Sequence, residues 1–344
     1  MKALLMEEYK KFRYTDVPDP QIADGHDILV RVKAVSICGS DIHGFDGSTG
    51  RRKPPIIMGH EAAGDITAAG RDVTRFKVGD RITFDSTIYC GSCFYCQNGQ
   101  VNLCDHRTVL GVSCDEYRRH GAFAEYVLVP EHICYPLPGD ISYEEAAMTE
   151  PAGVAAHAFR ITPVGLGESV AIVGTGIIGL LLLDIVRAST SGKIAALDTD
   201  PGRREAALAR GADAVFDPAD KDLDRKIREF SGDRGFDRVF EAVGASAPIQ
   251  TALGIVRKGG SVTLIGNVSP KIELPLQSVV TRQISLLGSC AIAGEYPIVL
   301  DLIARKKINV ESLISKKAPL SEGQIWFDKL YKREDNLLKV VLIP

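Results

Sequence analysis

No run of about 18 apolar residues, the length a helix needs to cross a bilayer, occurs in the 344-residue chain. The longest apolar stretch, Ile177 to Leu183, is far too short. Charge of one sign is also missing. A net charge of −3 leaves no broad cationic surface, which argues against nucleic acid as the main partner and leaves small molecules as the default. No internal repeat and no low-complexity segment is visible. Nor does the N-terminus carry an export signal: Met1-Lys2-Ala3-Leu4-Leu5-Met6-Glu7-Glu8 meets acidic residues too soon, which predicts a cytoplasmic protein. What is present is the mix of a soluble globular protein, 45% hydrophobic and 25% charged, at a length that predicts two domains.

Eight cysteines in a long chain with no export signal point to metal binding rather than disulfides. Four of them, Cys90, Cys93, Cys96 and Cys104, have the spacing C-x2-C-x2-C-x7-C in loop-like sequence. Four thiolates so placed suit a closed tetrahedral zinc site, which admits no substrate and is therefore structural. An iron–sulfur cluster can have similar spacing, but nothing else in the chain suggests electron transfer to one. Cys114, Cys134 and Cys290 lack such grouping and read as small buried apolar residues.

The texture of the chain changes near Glu150. Before it, short alternating runs such as Ile28–Val32 and Phe123–Val129 are broken by Gly, Pro and Asp clusters, which predicts an irregular, mostly β domain. After it, strands expected at 169–173, 193–197, 213–216, 236–240, 261–265 and 284–287 alternate with helices expected at 177–188, 203–210 and 248–256, the last stopped by Gly259-Gly260. That alternation predicts an α/β fold, a doubly wound parallel sheet of the Rossmann type. The tail, helical over Tyr296 to Ala304 and ending in the apolar strand 338–343, is expected to return to the first domain, because six strands already fill the sheet.

Gly174-Thr175-Gly176-Ile177-Ile178-Gly179 is a GxGxxG sequence that follows a buried strand and opens a helix. Its glycines permit a tight turn, a close approach to a pyrophosphate and close helix–strand packing, while unpaired N–H groups face the phosphates. Asp198 comes 19 residues after Gly179, at the end of the next strand. There it can accept hydrogen bonds from ribose hydroxyls and repel a 2′-phosphate, which favours NAD; the plainer reading is a turn residue or helix cap. Arg203 lies close enough in sequence to stand beside the adenosine. Gly266, after the fifth strand, completes the cofactor-binding candidates.

Three further fragments are ordinary when taken singly: Cys38-Gly39-Ser40-Asp41-Ile42-His43, Gly59-His60-Glu61 and Glu150-Pro151. With Val78-Gly79-Asp80-Arg81-Ile82, the cysteine lobe, Gly121-Ala122-Phe123-Ala124-Glu125-Tyr126 and the glycine loop, they form an ordered set over nearly the whole chain. That set resembles the medium-chain zinc-dependent dehydrogenases, the group containing alcohol, sorbitol and threonine dehydrogenases. The resemblance implies a GroES-like catalytic domain over 1–151 with its zinc lobe at 86–108, an NAD-binding Rossmann domain over 152–287, and a C-terminal segment, 288–344, belonging with the catalytic domain. It implies two zinc ions per chain. The catalytic one is assigned to Cys38, His60 and Glu150, and Glu61 corresponds to a family residue that also approaches the metal. A glutamate at the third position, where classical alcohol dehydrogenases have cysteine, resembles the polyol and threonine branches, in which it binds directly or through water.

The resemblance further implies hydride transfer from a secondary alcohol to NAD, with Ser40 beside the reacting oxygen and His43 as a proton relay, imidazole titrating near neutrality. Sorbitol dehydrogenases carry an arginine shortly after the last cofactor-domain strand; the stretch 288–296 here has none. Related polyols, their phosphates and sugar acids are the expected substrates, with threonine as the alternative. Phe45 and Tyr89 are aromatic candidates for a substrate pocket, although an aromatic is more often plain packing. Zinc-free quinone reductases share the fold but lack these ligands. A non-catalytic NAD-binding redox sensor would use the glycine loop and cysteine lobe equally well, but has no need of the second metal site. Relatives are dimers or tetramers, so a homotetramer is expected.

Overall fold

The strand Asp27–Ser36 organises the first of two structural units. Ile28, Val30 and Val32 point into the core with Arg31 outward, the period-2 alternation of a half-covered sheet. From Ala34 to Ser36 every residue is buried, because both faces are covered there. In this computed structural model, which describes residues 1–113 and 118–344, the strand belongs to a compact unit made of residues 1–153 and 291–344. It pairs antiparallel with Glu61–Ala69 along its length, with Tyr126–Pro130 at its start, and with Lys339–Ile343 at its end. Glu61–Ala69 pairs in turn with Arg81–Phe84, and Lys339–Ile343 runs parallel to Ile314–Pro319. A separate three-stranded sheet joins Lys2–Glu8, Lys11–Asp16 and Ile56–Ile57. The tail therefore lies in the sheet of this unit.

An aromatic cluster fixes the short helix Gly39–Phe45, which carries Ser40 and His43. The Phe327 ring of the helix Gly323–Lys332 lies 4.5 Å from Phe12, 5.4 Å from Phe45 and 5.7 Å from Phe123. Phe45 is buried among these rings, so it is core and does not line a pocket. Tyr89 is half-buried, edge-on to His132. Cys134 is buried as expected of a small apolar residue, Cys290 is only half-buried, and Cys114 lies outside the described residues.

The second unit, residues 154–290, is a six-stranded parallel sheet. Its strands are Val170–Val173, Ile194–Leu197, Ala214–Phe216, Phe236–Glu241, Val256–Leu264 and Ser285–Gly288, in the spatial order third, second, first, fourth, fifth, sixth. This is the doubly wound Rossmann order, whose direction reverses between the first and fourth strands, the switch point where such sheets bind ligands. The unit boundaries fall at 153/154 and 290/291, two to three residues beyond those read from the sequence. The fifth strand starts at Val256, so Gly259 and Gly260 lie within it rather than ending the helix. A side chain at Gly260 would press on Asp237 O at 2.9 Å, where the pairing register slips. The helices with no assignment from sequence include Thr149–Ile161, Leu223–Ser231, Leu276–Thr281 and Gly323–Lys332.

Phe327 holds four elements through one ring, so Phe327→Ala is expected to cost about 3–5 kcal/mol. A chemical denaturation series should show the unfolding midpoint of the catalytic unit falling, while a probe in residues 154–290 is unmoved.

Candidate active site

Sheet register explains how the metal-ligand candidates meet. Ser36 lies opposite Glu61 on one side and opposite Val341 on the other. Two residues beyond Ser36 the chain leaves the strand at Cys38, and His60 immediately precedes Glu61. Ligand atoms of Cys38, His60 and Glu61 consequently lie within 4.8 Å of one another. Glu150, in the first turn of the helix Thr149–Ile161, is buried but is not a member of that group; its carboxylate accepts a hydrogen bond from Ser86 Oγ at 3.3 Å.

The surroundings of each candidate are specific. Cys38 caps the helix Gly39–Phe45, its sulfur accepting from Ser40 N at 3.4 Å and Ser40 Oγ at 3.3 Å. Burial pushes its thiol well above the usual range, and the charge of Glu61 adds to this. His60 Nδ1 lies 3.5 Å from Asp41 Oδ1, yet this buried nitrogen makes no hydrogen bond. Glu61 is held by Lys339 Nζ at 2.7 and 3.0 Å and also accepts from Ser36 Oγ. Burial raises Glu150 to about 7; His60 opposes the shift, and Glu61 and Asp85 reinforce it.

Sulfur, imidazole and carboxylate form the donor set that zinc prefers. A half-buried thiol and a buried carboxyl, both pushed towards their protonated forms beside a buried imidazole, are what a site looks like when a divalent cation would compensate them. The residues present therefore fit a zinc ion. Glu61 already spends its oxygens on Lys339 and Ser36, so Glu150 is the carboxylate with coordinating capacity to spare.

Ser40 and His43 share the helix at i, i+3 and both are exposed, but no hydrogen bond joins their side chains. Desolvation of the ring by its neighbours, with Arg333 nearby, lowers the pKa of His43 and so favours its neutral form.

In the lobe, sulfur atoms of Cys90, Cys93, Cys96 and Cys104 also gather within 4.8 Å. Backbone N–H groups already point at them: Cys93 N to Cys90 Sγ at 3.4 Å, and Cys90 N and His106 N to Cys104 Sγ at 3.3 Å. Hydrogen bonds from Ser92 bring Cys90 down to about 6, towards the thiolate that zinc needs.

In the second unit the glycine loop has the shape its sequence predicts. Gly174 is left-handed at φ +91, a side chain at Gly179 would lie 2.0 Å from Gly174 O, and space around Gly176 is open. Ile177 and Ile178 open the helix that follows. Asp198 Oδ2 accepts from Thr175 N at 2.8 Å and Thr175 Oγ1 at 3.2 Å, tying the loop to the second strand. The helix cap in this region is Asp200, not Asp198. Arg203 Nη1 stands 3.9 Å from Asp198. A side chain at Gly266 would strike Val243 and Gly244 backbone at 2.1 Å. That crossing is shaped by buried Glu241, which accepts from Val243 N at 2.8 Å and Gly244 N at 2.9 Å.

Sequence reading missed Asp41, Arg52, Lys339, Glu241 and Thr175. The signal for Lys339 was a lone cation in the apolar run Leu338–Ile343; Asp41 sat inside the Cys-Gly-Ser-Asp fragment itself.

Residues 24–139 match the alcohol dehydrogenase GroES-like domain and residues 178–305 the zinc-binding dehydrogenase domain. D-arabitol-phosphate dehydrogenase of Enterococcus avium is 35% identical over 97% of this chain and 94% of its own. Sorbitol dehydrogenase of Bacillus subtilis is 33% identical over 100% and 97%. The solved alcohol dehydrogenase of Thermus sp. ATN1 superposes with a TM-score of 0.93 at 30% identity, covering 100% of this chain and 99% of that one. The chain belongs to the zinc-dependent alcohol dehydrogenase family. It is an oxidoreductase of the type that works with zinc and a nicotinamide cofactor, which sets aside the sensor without turnover and the zinc-free reductase. No helix among the described residues is long and apolar enough to cross a membrane.

The Glu150 carboxyl, ordinarily ionising at 4.5, does so at about 7 in the metal-free fold. A proton held more tightly folded than unfolded contributes stability in full below pH 4.5 and loses it as pH rises through 7. Thermal melts of metal-stripped protein should show wild type losing more stability than Glu150→Gln across that window. Equal slopes would remove Glu150 from this account.

Proposed function

We propose that this dehydrogenase oxidises a secondary hydroxyl of a polyol, polyol phosphate or related sugar derivative, reduces NAD, and releases a ketose-type product. The observation that carries the reading is the group of Cys38, His60 and Glu61 within 4.8 Å, with Glu150 raised to about 7 nearby. The arabitol-phosphate and sorbitol enzymes among its relatives supply the substrate class. The absence of an arginine from 288–296 points away from sorbitol itself.

Cys38, His60 and Glu150 hold the catalytic zinc, and the cysteine lobe holds the structural one. Bound there, zinc would supply Lewis-acid polarisation of the substrate hydroxyl, and a nicotinamide would supply the hydride acceptor. Glu61, fixed by Lys339, keeps negative charge beside His60 and balances the metal. Ser40 Oγ accepts the substrate's hydroxyl proton as its own O–H turns from Cys38 and passes its proton outward, with His43 on the same helix face as the acceptor. Gly174, Gly176 and Gly179, with Ile177 and Ile178, present backbone N–H groups to the pyrophosphate. Asp198 takes the adenosine ribose, Arg203 lies at the adenosine edge, and Gly266 leaves room beside the cofactor. A cytoplasmic homotetramer completes the reading.

The direct test is a screen of C4 to C6 polyols, their phosphates and sugar acids with NAD, following absorbance of the reduced cofactor; no turnover with any of them would reject the substrate class. Cys38→Ser is expected to fold, bind NAD, hold one zinc instead of two and lose turnover. Undiminished activity would refute the zinc assignment. Asp198→Gly is expected to weaken NAD by about 10-fold or more, the scale of hydrogen bonds to a charged group. NADP should be affected less, and an unchanged NAD/NADP preference in titrations of both cofactors would count against the carboxylate.

A further inference from the structure

Arg52 has no role in any reading of the sequence, yet it is one of the most enclosed cations in the protein. Only 3% of its surface is exposed. Its stem lies across the helix Gly39–Phe45 at Gly44, where a Cβ would come within 2.3 Å of Arg52 Cγ. The chain on either side is pinned to Ser113: Ser113 N donates to Arg51 O, and Lys53 N donates to Ser113 Oγ. The guanidinium is thereby aimed at two neighbouring residues of that helix. Nε and Nη2 donate to Asp41 Oδ1 at 3.2 and 3.0 Å, and Nη2 also donates to Ser40 Oγ at 3.2 Å.

Between them these residues reach two candidate ligands, and Asp41 Oδ2 also accepts from Cys38 N at 3.4 Å. Asp41 Oδ1, the same oxygen that Arg52 holds, stands 3.5 Å from His60 Nδ1. Ser40 reaches Cys38 Sγ with both its N–H and its hydroxyl. One planar fork thus supports both the residue behind the imidazole and the residue beside the sulfur. Accepting from Arg52 uses a lone pair on Ser40 Oγ, which leaves its proton directed to Cys38. A lysine ammonium, a compact point charge, does not reproduce three donors in fixed directions.

We propose that Arg52 is a positioning residue for the catalytic metal site: it holds Asp41 behind His60 and sets the direction of the Ser40 hydroxyl at Cys38. This rests on the zinc assignment made above. Arg52 touches neither metal nor substrate; it acts through Asp41 and Ser40. Partners of this kind orient the ligands, and their loss typically weakens metal affinity by about 10- to 100-fold.

The test is metal binding by the full-length protein, with cobalt(II) as a spectroscopic probe and zinc in competition with a chelator. Cys38→Ser supplies the spectrum of the cysteine lobe alone, so subtraction isolates the second site. In Arg52→Met the weaker metal equivalent is expected to bind about 10- to 100-fold less tightly. Its cobalt bands should shift, while the lobe equivalent is unchanged. Arg52→Lys should recover only part of the affinity. Asp41→Asn combined with Arg52→Met should fall short of the sum of the two single effects, because part of the Arg52 effect runs through Asp41. Wild-type affinity and an unaltered difference spectrum in Arg52→Met would overturn the proposal, and so would full additivity of the pair. Should Arg52→Met fail to fold, an unaltered difference spectrum in Arg52→Lys overturns it equally. A wild-type protein that binds two metals but oxidises no polyol would refute the proposed substrate class, and the Arg52 variants would still decide this proposal on their spectra.

Discussion

The buried ion pair between Glu61 and Lys339 is the constraint around which the catalytic unit is arranged. Neither side chain exceeds 3% exposure, and the ammonium sits 2.7 Å from one oxygen and 3.0 Å from the other. Taking two charges out of water is costly, and only close geometry with further hydrogen bonds compensates. Both conditions are met: Ser36 donates to Glu61, and Lys339 donates also to Ile37 O at 3.2 Å. Removing either partner would leave a buried charge uncompensated, a loss of about 3–5 kcal/mol in comparable cases. The pair also sets alignment. It fixes Lys339–Ile343 against the end of Asp27–Ser36, and so fixes the point where the chain turns off to Cys38.

Around that pair the polar groups fall into layers. Ser40 reaches Cys38, Asp41 stands beside His60, and Ser86 donates to Glu150, while Lys339 is spent on Glu61. Supporting groups are satisfied and rigid; the groups in front are left for a ligand. The cysteine lobe differs. Its sulfurs already receive N–H groups from their own loop, so its geometry is local and short-range.

Motifs that depend on local geometry were legible in the sequence. Four cysteines within fifteen positions, and three glycines at a strand-to-helix turn, state their own purpose because spacing and conformation determine the site. The alternating strands and helices after Glu150 were legible for the same reason. What could not be read is what depends on distant pairing. Glu61 and Lys339 are 278 positions apart, and Arg52 reaches Asp41 from a loop with no periodicity. Asp198 allowed two readings, since a strand-end carboxylate before a helix suits a ribose contact or a cap; Asp200, two residues on, takes the cap. Phe45 reads from sequence as either pocket wall or plain packing, and the contact with Phe327, from the far end of the chain, decides for packing. The helix Leu223–Ser231 did carry a signal, with Leu223, Ile227 and Phe230 on one face, but its dense charge obscured it.

The catalytic unit is interrupted: residues 154–290 form another body inserted between its two parts. During synthesis, His60 and Glu61 leave the ribosome long before Lys339. At about 5–20 residues per second, 278 residues take roughly 14 to 56 s. Over that interval the glutamate has no counter-charge and its strand lacks a neighbour, while the inserted body is free to fold. The order of assembly is therefore inverted relative to the order of the chain: the nucleotide-binding half matures first, and the half begun earliest closes last.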